Sequence, residues 1–460
     1  MAEKNQQSQP THAEPTHGSI SGEPCDVIVV GAGMAGKAAS LQLARAGLKV
    51  ICIAPAESTR PPVGESLDWS APDLLKALGL PMEYLLETQM ATWKRHVTLK
   101  MRDGCSEQYV PAPWLGEPPL NIELKTLHLD RMRTDQEMLK RTVEAGVTCV
   151  PDKVVSVERT GKRISSVHTS SGAKYSAAWF IDASGIGASV FAREFNLRKL
   201  EYGPAKVAIW AYFPVTDPVE GTTLYMDPSP TEYLDWVWEI PVNPQTVSVG
   251  AVITGDFMKA KRDQGLAVDE IFRQELAKFP RFQSLLGEAP IGQLNVTSFK
   301  CRVHLGVAGS NWLICGEAAS MVDPITSNGV TAALRHAAEA SSLVLKYRSK
   351  GRIPLLARFC YSSRILQTAK FFNSGIEKIV YEPPVRNRIG LQKSGFVYTG
   401  PAWSMNVVYA RLKPFGAIKT LLLNSILGAF RLSAWLLYKF SLLKPKGRLP
   451  GSSDQCNAGA

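Results

Sequence analysis

This chain of 460 residues lacks the patterns that most directly identify a site or a compartment. Its eight cysteines are scattered and form no Cys-x-x-Cys pair, which excludes a small disulfide-stapled fold and favours a reducing, cytoplasmic location. His128, His304 and His336 have no metal-ligand spacing, so we predict no metal centre. No Ser/His/Asp arrangement stands out. Function must therefore be inferred from local motifs.

Long apolar runs are equally scarce. Residues 1–22 are polar and predict a disordered leader instead of a secretory signal. The most apolar stretch, Leu421–Phe440, is interrupted by Arg431 and Lys439 and on this ground fails the length test for a membrane-spanning helix. Packing on the core, covering the active site and lying on a membrane surface all remain open for it.

Acidic residues are nearly missing from the C-terminal quarter. Between Ser341 and Pro450 there are 19 Lys and Arg against two acids, Glu377 and Glu382, although the whole chain carries a net charge of only +11. Such asymmetry favours an acidic partner, either an acidic or carrier protein or an anionic membrane surface, and we expect no nucleic acid. A solvated helical surface without a partner is the plain alternative.

A dinucleotide-binding pattern opens the informative part of the chain. The apolar run Asp26–Val30 leads into Gly31-Ala32-Gly33-Met34-Ala35-Gly36, then into a helical pattern and a second strand at Lys49–Ile53. Glycines let the backbone approach a pyrophosphate, and the helix N-terminus faces its charge. The ribose-binding acid expected after the second strand is Ala54, and Glu57 is the candidate substitute.

The rest of the chain predicts an α/β (α+β) fold, because strands and helices alternate around this unit. Short alternating strands from Cys149 to Phe180 indicate a β-meander, and Ala205–Thr254 is strand-rich and aromatic. The predicted parts are a leader at 1–22, a Rossmann-like domain at 23–200, an interleaved antiparallel β-sheet substrate domain at 201–300, a return to the first domain at 301–345, a basic helical region at 346–446 and a tail at 447–460.

Separated motifs over roughly residues 26–340 resemble the FAD-binding fold of para-hydroxybenzoate-hydroxylase-type monooxygenases and, within it, the flavin-dependent halogenase branch. Gly64-Glu65-Ser66 looks like the GES segment of that branch, and Asp130-Arg131 is similar to the helix start that follows. Asp182-Ala183-Ser184-Gly185 resembles the DASG turn by the adenosine half of FAD. Gly316-Glu317 occupies the place of the Gly-Asp pair that holds the ribityl chain. The hexapeptide Trp236-Val237-Trp238-Glu239-Ile240-Pro241 matches the WxWxIP signature of flavin-dependent halogenases.

The resemblance implies FAD as cofactor and O2 as co-substrate, with a helix after Gly329 aimed at the flavin N1/C2=O region. Only one dinucleotide fingerprint is present, so reduction is expected either by NAD(P)H directly or through a separate flavin reductase. The implied FAD contacts are Gly31, Gly33, Met34, Ala35, Gly36, Glu57, Gly64, Glu65, Ser66, Arg131, Asp182, Gly185, Gly316, Glu317, Asp323, Pro324, Ser327, Asn328, Gly329 and Val330.

Three candidate catalytic residues follow from the same resemblance: Lys94, Trp236 and Trp238. Lys94 lies close to the spacing of the lysine that follows the GES segment in tryptophan halogenases, and a solvent-exposed lysine beside Arg95 is the alternative interpretation. The tryptophans are expected to wall the flavin from the substrate, although two tryptophans on one strand face are often only core.

The halogenase set is incomplete. Thr326 occupies the position of a glutamate that tryptophan halogenases carry, and His96–Lys100 does not match the glycine-rich segment of phenol and pyrrole halogenases. We therefore favour a monooxygenase that uses a flavin C4a-hydroperoxide to hydroxylate an electron-rich aromatic ring, an indole or a phenol, possibly presented on a protein or carrier that docks on the basic region. A flavin-dependent halogenase is the alternative, and a membrane-associated isoprenoid reductase is the third interpretation.

Overall fold

The computed structural model describes residues 25–56, 62–102, 104–118, 121, 123–187, 189–215, 220–227, 232–288, 292–390, 404 and 416–443. Glu57, the candidate ribose contact, lies outside the described residues, as do the predicted leader and tail. The predicted fold class is confirmed. The chain forms a first sheet with both parallel and antiparallel strands, a large second sheet whose strands lie between those of the first in sequence, and a helical C-terminal region.

The first sheet is built around β1 (Cys25–Val30), an apolar and mostly buried strand. On either side, β2 (Val50–Ala54) and β10 (Lys174–Asp182) pair with it in parallel. The outer parallel strands are β7 (Thr148–Pro151) beside β2 and β16 (Trp312–Ile314) beside β10. The chain therefore returns to this sheet only after it has formed the second one.

The predicted glycine turn connects β1 to helix α1 (Met34–Arg45). Gly31 has φ +99°, and a Cβ there would lie 2.4 Å from the carbonyl oxygen of Ala183. A Cβ on Gly36 would lie 1.8 Å from the carbonyl oxygen of Gly31. Side chains are thus excluded at both positions, and the first turn of α1 packs directly against the end of β1.

The predicted β-meander is confirmed for three of its strands. β8 (Val154–Thr160) and β9 (Arg163–Thr169) form an antiparallel pair, and β9 continues antiparallel onto β10. β7 differs from that prediction, because it pairs in parallel with β2 and so forms the outer strand of the parallel part of the first sheet.

The second sheet has eight strands in the order β17 (Ser320–Met321), β15 (Asn295–His304), β11 (Lys199–Pro214), β14 (Thr246–Thr254), β13 (Trp236–Asn243), β12 (Thr222–Met226), β4 (Val97–Met101) and β5 (Ser106–Tyr109). Its longest strand, β11 (Lys199–Pro214), lies between β14 (Thr246–Thr254) and β15 (Asn295–His304). Alternate β11 residues face opposite sides, as strand geometry requires. Ile209 and its neighbours contact α7 (Val268–Ala277), whereas Ala208 and Trp210 join the core shared with the first sheet. After α7 the chain forms a short 3-10 turn at Pro280–Phe282.

The remaining elements connect and cover the two sheets. Their bounds are β3 (Ala91–Lys94), β4 (Val97–Met101), β5 (Ser106–Tyr109), β6 (Thr126–Leu129), β12 (Thr222–Met226), β13 (Trp236–Asn243), β17 (Ser320–Met321), α2 (Ala71–Ala77), α3 (Met82–Glu87), α4 (Arg131–Glu144), α5 (Val190–Glu194), α6 (Gly255–Asp263), α8 (Gln283–Glu288) and α9 (Gly329–Tyr347), with 3-10 turns at Pro113–Leu115, Gly316–Ala318, Pro324–Thr326 and Arg348–Lys350.

The C-terminal region is helical wherever the structure describes it. α10 (Leu355–Ile376) runs into a π-helical turn at Glu377–Tyr381 and then into α11 (Pro383–Ile389). The C-terminal helix, Ala417–Leu443, is longer than the predicted apolar stretch, and by length and composition it is sufficient to cross a membrane. The expectation that it fails the length test is therefore wrong, because the helix extends beyond Leu421–Phe440 at both ends.

Candidate functional site

A cavity of about 330 Å³ lies between the two sheets, a volume within the range of small-molecule sites. The two sheets, the start of α4 and the start of α9 all contribute to its wall. The predicted site residues that line it are Gly33, Met34, Ala35, Gly64, Glu65, Ser66, Arg131, Gly185, Trp236, Trp238, Glu317, Pro324, Ser327, Gly329 and Val330. Segments far apart in sequence thus converge on one site.

Seven predicted residues are described but do not line this cavity: Gly31, Gly36, Lys94, Asp182, Gly316, Asp323 and Asn328. Gly31 and Gly36 shape the turn from behind, as their backbone contacts show. Asp182 fixes the second glycine turn, since its carboxylate accepts hydrogen bonds from the Ser184 backbone N–H (3.0 Å) and the Ser189 hydroxyl (2.6 Å). Gly31, Gly36 and Asp182 thus stabilise the two glycine turns without contacting the cavity themselves.

The turn before α1 suits a dinucleotide phosphate. A Cβ on Gly33 would meet no protein atom within 4 Å, so this glycine faces open space at the cavity wall. The N-terminus of α1 begins at the next residue, and its unpaired N–H groups favour an anion. The residues at this end therefore fit the pyrophosphate of FAD.

Glu317 fits the predicted role of a cofactor-binding acid. It lines the cavity, and among the described residues it accepts no hydrogen bond from another side chain. Burial raises the pKa of its carboxyl group, and the positive charges of Arg131 and Arg302 oppose that rise. A cofactor hydroxyl group would supply the missing partner, so Glu317 would hold the ribityl chain of FAD.

Arg131 clamps the segment that carries Gly64 and Glu65. Its Nη1 donates to the carbonyl oxygens of Val63 and Gly64, both at 3.1 Å, while Nε and Nη2 donate to the two oxygens of Asp135. Burial lowers the pKa of the guanidinium, but the carboxylates of Asp135, Glu65 and Glu317 together raise it by more, so the net shift is upward. Arg131 is therefore a fixed cation at the cavity wall.

Glu65 connects the GES segment to the tryptophan signature. Its Oε1 accepts hydrogen bonds from the Tyr212 hydroxyl at 2.9 Å and from the Ser248 hydroxyl at 3.1 Å. Ser248 in turn accepts a hydrogen bond from Nε1 of Trp238, also at 3.1 Å. Burial and the Glu65 charge both raise the pKa of Tyr212, which keeps that phenol protonated as a donor.

Trp236 and Trp238 share one face of β13 and both line the cavity, with ring centroids 5.9 Å apart. Gly250 lies opposite Trp238 on β14, and a Cβ there would come within 2.2 Å of the indole. The glycine thus makes room for the ring. Nε1 of Trp236 donates to the Tyr381 hydroxyl at 2.9 Å, which ties this wall to the C-terminal region.

A chain of hydroxyl groups leads from the cavity to a buried histidine. Ser327 and Ser66 have their hydroxyl oxygens 3.0 Å apart, and Ser66 is 2.7 Å from the hydroxyl of Thr222. Thr222 is 2.9 Å from Nε2 of His128. Burial lowers the pKa of His128 well below its ordinary value, so this histidine is neutral at pH 7.

Asp323 anchors the Asp323-Pro324 motif through a buried cluster instead of facing the cavity. Its carboxylate accepts hydrogen bonds from Nζ of Lys206 and from the Tyr381 hydroxyl, both at 2.8 Å. Nζ of Lys206 also lies 4.0 Å from the Tyr381 ring centroid. Burial lowers the pKa of Lys206, but Asp323, Cys301 and Glu377 together raise it by more, so the ammonium stays charged.

Lys94 is buried, with 1% of its surface exposed, so the interpretation as a solvent-exposed lysine is wrong. Its Nζ donates to the carbonyl oxygen of Leu67 at 2.7 Å and lies 4.8 Å from the Trp69 ring centroid. Burial lowers its pKa to about 7, and the Asp68 charge only partly opposes this shift. Lys94 thus contacts the chain directly after Ser66.

Sequence reasoning missed Thr222, His128, Tyr212, Ser248, Lys206 and Tyr381. None of these residues belongs to a motif, and their partners lie far away in sequence, for example 183 positions between Glu65 and Ser248. The alternation of β11 placed Tyr212 on the same face as Trp210, which was the one available signal. No cluster of His, Cys, Asp or Glu suited to a metal occurs within the described residues.

Comparisons with known proteins show which family the chain belongs to. The family model described as tryptophan halogenase matches residues 118–350, just over half of the chain, and the lycopene cyclase model matches residues 26–206. The flavin-dependent halogenase armH5 of Armillaria mellea is 27% identical over 351 residues, which are 70% of this chain and 65% of that protein. This chain therefore spans less than two thirds of that relative's length.

Two further proteins agree with this result. The 1H-pyrrole-2-carbonyl-(peptidyl-carrier protein) brominase of Pseudoalteromonas luteoviolacea is 25% identical over 335 residues, covering 69% of this chain and 77% of that protein. A triple mutant of the flavin-dependent brominase Bmp2 has a TM-score of 0.70 at 19% identity and covers 88% of this chain and 99% of that one, which shows the shared fold. The converging motifs and the family match together show that the chain belongs to the tryptophan halogenase family, a family of FAD-dependent oxidoreductases.

Proposed function

We propose that this protein is a flavin-dependent halogenase that uses reduced FAD, O2 and halide to halogenate an electron-rich aromatic ring. The observation that carries the proposal is the linkage of Glu65, Ser248 and Trp238, which joins the GES segment to the tryptophan signature on one cavity wall. The family match and the named relatives favour halogenation over the hydroxylation that the sequence alone favoured.

When bound, reduced FAD supplies the activation of O2 that oxidises halide. The residues of the chain position that group and keep water out. Arg131 holds the wall segment at Gly64, and the α1 N-terminus after Gly33 would hold the phosphates. Trp236, Trp238 and Ile240 present an apolar surface at the cavity, which favours an aromatic ring and disfavours water.

Lys94 is our candidate for the lysine that takes part in halogen transfer. Its support is its burial and its contact with Leu67, the residue after the wall segment Gly64–Ser66. With a pKa of about 7, its ammonium and amine forms are both populated near neutral pH. If the ammonium is the active form, kcat should fall as pH rises through about 7, because deprotonation removes the donor.

The proposed substrate is an indole, phenol or pyrrole ring, either free or held on a carrier protein. A carrier-bound substrate appears in the name of the related pyrrole brominase. We include in the proposal a cytoplasmic location, which the scattered cysteines favour. We also include a separate flavin reductase, because only one dinucleotide fingerprint is present in the sequence. Turnover with NAD(P)H in the absence of a reductase would contradict that last part.

The test supplies FAD, a flavin reductase and NADH to the purified protein with indole, phenol and pyrrole substrates, with bromide, with chloride and without halide. Mass spectrometry should detect a halogenated product only when halide is present. Lys94→Ala should lower its formation by about a hundredfold or more, while Lys76→Ala, at an exposed lysine, should leave it unchanged. Hydroxylated product formed without halide would overturn the proposal in favour of a hydroxylase.

A further inference from the structure

The exposed apolar side chains of this protein are concentrated on one surface. Of the 19 large hydrophobic side chains that are exposed in the described structure, ten belong to the C-terminal helix and three to the first five residues of α10. The most exposed are Ile418 (83%), Leu443 (82%) and Leu355 (76%). A concentration of this kind marks an interaction site, whereas single exposed hydrophobics are ordinary. We name these thirteen side chains the C-terminal apolar surface.

The two helices that carry this surface are parallel neighbours. Arg364 of α10 donates a hydrogen bond to Thr420 of the C-terminal helix, and Arg431 of the C-terminal helix donates one to Gln367 of α10, each at 2.9 Å. The later residue of α10 thus contacts the later residue of the C-terminal helix, so the two helices run in the same direction. The first turn of α10 and the first turns of the C-terminal helix therefore lie at the same end of the pair. The exposed apolar side chains of the two helices therefore belong to one surface.

The C-terminal helix is attached to the protein along its length. Asn424 donates to the Ser363 hydroxyl at 2.7 Å, and near the other end Arg388 donates to the carbonyl oxygen of Phe440 at 3.2 Å. Although 27 residues are long enough to cross a bilayer, a spanning orientation would break these contacts. Only 22% of the most apolar 18-residue stretch of this helix is buried inside the protein, so it is not a core helix either.

The charge around this surface is positive. In the described parts of the C-terminal region, residues 355–389 and 416–443, there are nine basic residues and two acids, and both acids are engaged within the protein. Glu377 accepts a hydrogen bond from Tyr233 at 2.6 Å, and Glu382 is hydrogen-bonded to Tyr438. Lys419 and Lys439 are exposed on the C-terminal helix itself. Two copies of such a surface would repel each other, which disfavours a dimer.

From these observations, we propose that the C-terminal apolar surface binds the face of an anionic lipid bilayer, with the C-terminal helix lying in the plane of the interface. Aliphatic side chains would enter the acyl boundary while Lys419 and Lys439 contact lipid headgroups. Trp435 is an aromatic residue of the type enriched at that depth. This inference is independent of the proposed halogenation.

The test is co-sedimentation of the FAD-loaded protein with vesicles of phosphatidylcholine, with and without phosphatidylglycerol. We expect binding to the anionic vesicles only, and weaker binding at high salt. The triple variant Leu432→Ser, Trp435→Ser, Leu436→Ser should reduce the bound fraction about tenfold or more, because three exposed apolar side chains are lost. Lys419→Gln with Lys439→Gln should reduce binding to the anionic vesicles as well.

Matched controls replace equally exposed residues elsewhere. Val110→Ser, Trp114→Ser and Val143→Ser together remove one tryptophan and two aliphatic side chains, and Lys76→Gln with Lys259→Gln removes two exposed charges. Both controls should bind vesicles as the wild type does, and all variants should retain their circular dichroism spectrum. Equal binding to neutral vesicles, no vesicle binding, or a dimer in light scattering that the triple variant abolishes would overturn the proposal.

Discussion

Single side chains determine how the cavity wall is fixed. Glu65 is buried and receives hydrogen bonds from Tyr212 and Ser248, and from the backbone N–H of Gly64 at 3.0 Å. A buried carboxylate is tolerated only when its oxygens are satisfied in this way. Glu65 therefore connects its own segment to β11 and β14, which lie far away in the sequence.

At the residue scale, Gly33→Val should abolish FAD binding. The Gly33 Cβ position is open toward the cavity, so a valine would occupy the space that the pyrophosphate needs without disturbing the packing of the protein. Flavin absorbance after reconstitution and desalting measures this. Gly292→Val also meets no neighbour and lies outside the cavity, so it should keep its FAD. A Gly33→Val protein that retains flavin would contradict the placement of the cofactor.

Lys94 should make stability depend on pH. Burial lowers its pKa to about 7 from an ordinary value of 10.5, so the folded protein loses this proton before the unfolded chain does. Between these two values the unfolded state binds more protons, and the free energy of unfolding rises with pH by up to about 1.4 kcal/mol per unit. Below about 7 both states are protonated and this gain is absent.

Urea unfolding of the wild type and of Lys94→Met, measured from about pH 6 to 9, isolates this contribution. The stability of the wild type relative to the variant should be lowest at the acidic end and should increase above pH 7. A difference that stays constant with pH would show that Lys94 titrates at its ordinary value.

At the scale of elements, β13 and β14 fit together because a glycine faces a tryptophan. Gly250→Ala would bring a Cβ to within 2.2 Å of the rigid Trp238 indole, so either the strand or the ring must move. We expect a loss of about 1–3 kcal/mol in the free energy of unfolding and weaker FAD binding, since Trp238 lines the cavity.

A double-mutant cycle with Trp238→Leu tests the cause of that loss. If the indole is the obstacle, Gly250→Ala should cost much less stability in the Trp238→Leu background. An unchanged cost would place the strain in the backbone of β14 instead.

At the scale of the whole molecule, the Lys206 cluster joins three regions. Lys206 belongs to the second sheet, Asp323 precedes α9, and Tyr381 ends the π-helical turn of the C-terminal region. Tyr381 also accepts the hydrogen bond from Trp236. The helical C-terminal region is thereby connected to the cavity wall through buried polar contacts.

Lys206→Met should destabilise the protein by about 3–5 kcal/mol, because it leaves the Asp323 carboxylate buried without its cation. Lys206→Met combined with Asp323→Asn should recover part of this loss in urea unfolding. Lys174→Met serves as the control, since both side chains of the Lys174–Glu158 pair are about half exposed and solvent screening leaves the pair little effect on stability. Equal losses in the two single variants would contradict a buried role for Lys206.

The sequence alone determined the glycine turns, the first strand–helix–strand unit and the family motifs. Gly31 and Gly36 are required by close backbone contacts within one strand-turn-helix unit, and such local requirements leave a local pattern. The tryptophan pair on β13 was equally visible, because strand periodicity places alternate residues on one face.

Only the tertiary structure decided which of these residues share a wall. The contacts of Glu65 with Tyr212 and Ser248 cross 147 and 183 positions, and no sequence period connects residues at such separations. The burial of Lys94 and the exposure of the C-terminal helix were likewise beyond the sequence, which left an exposed lysine open as an alternative and predicted a helix that fails the length test. Burial depends on what packs against a residue, and that is set by the arrangement of elements that are distant in the chain.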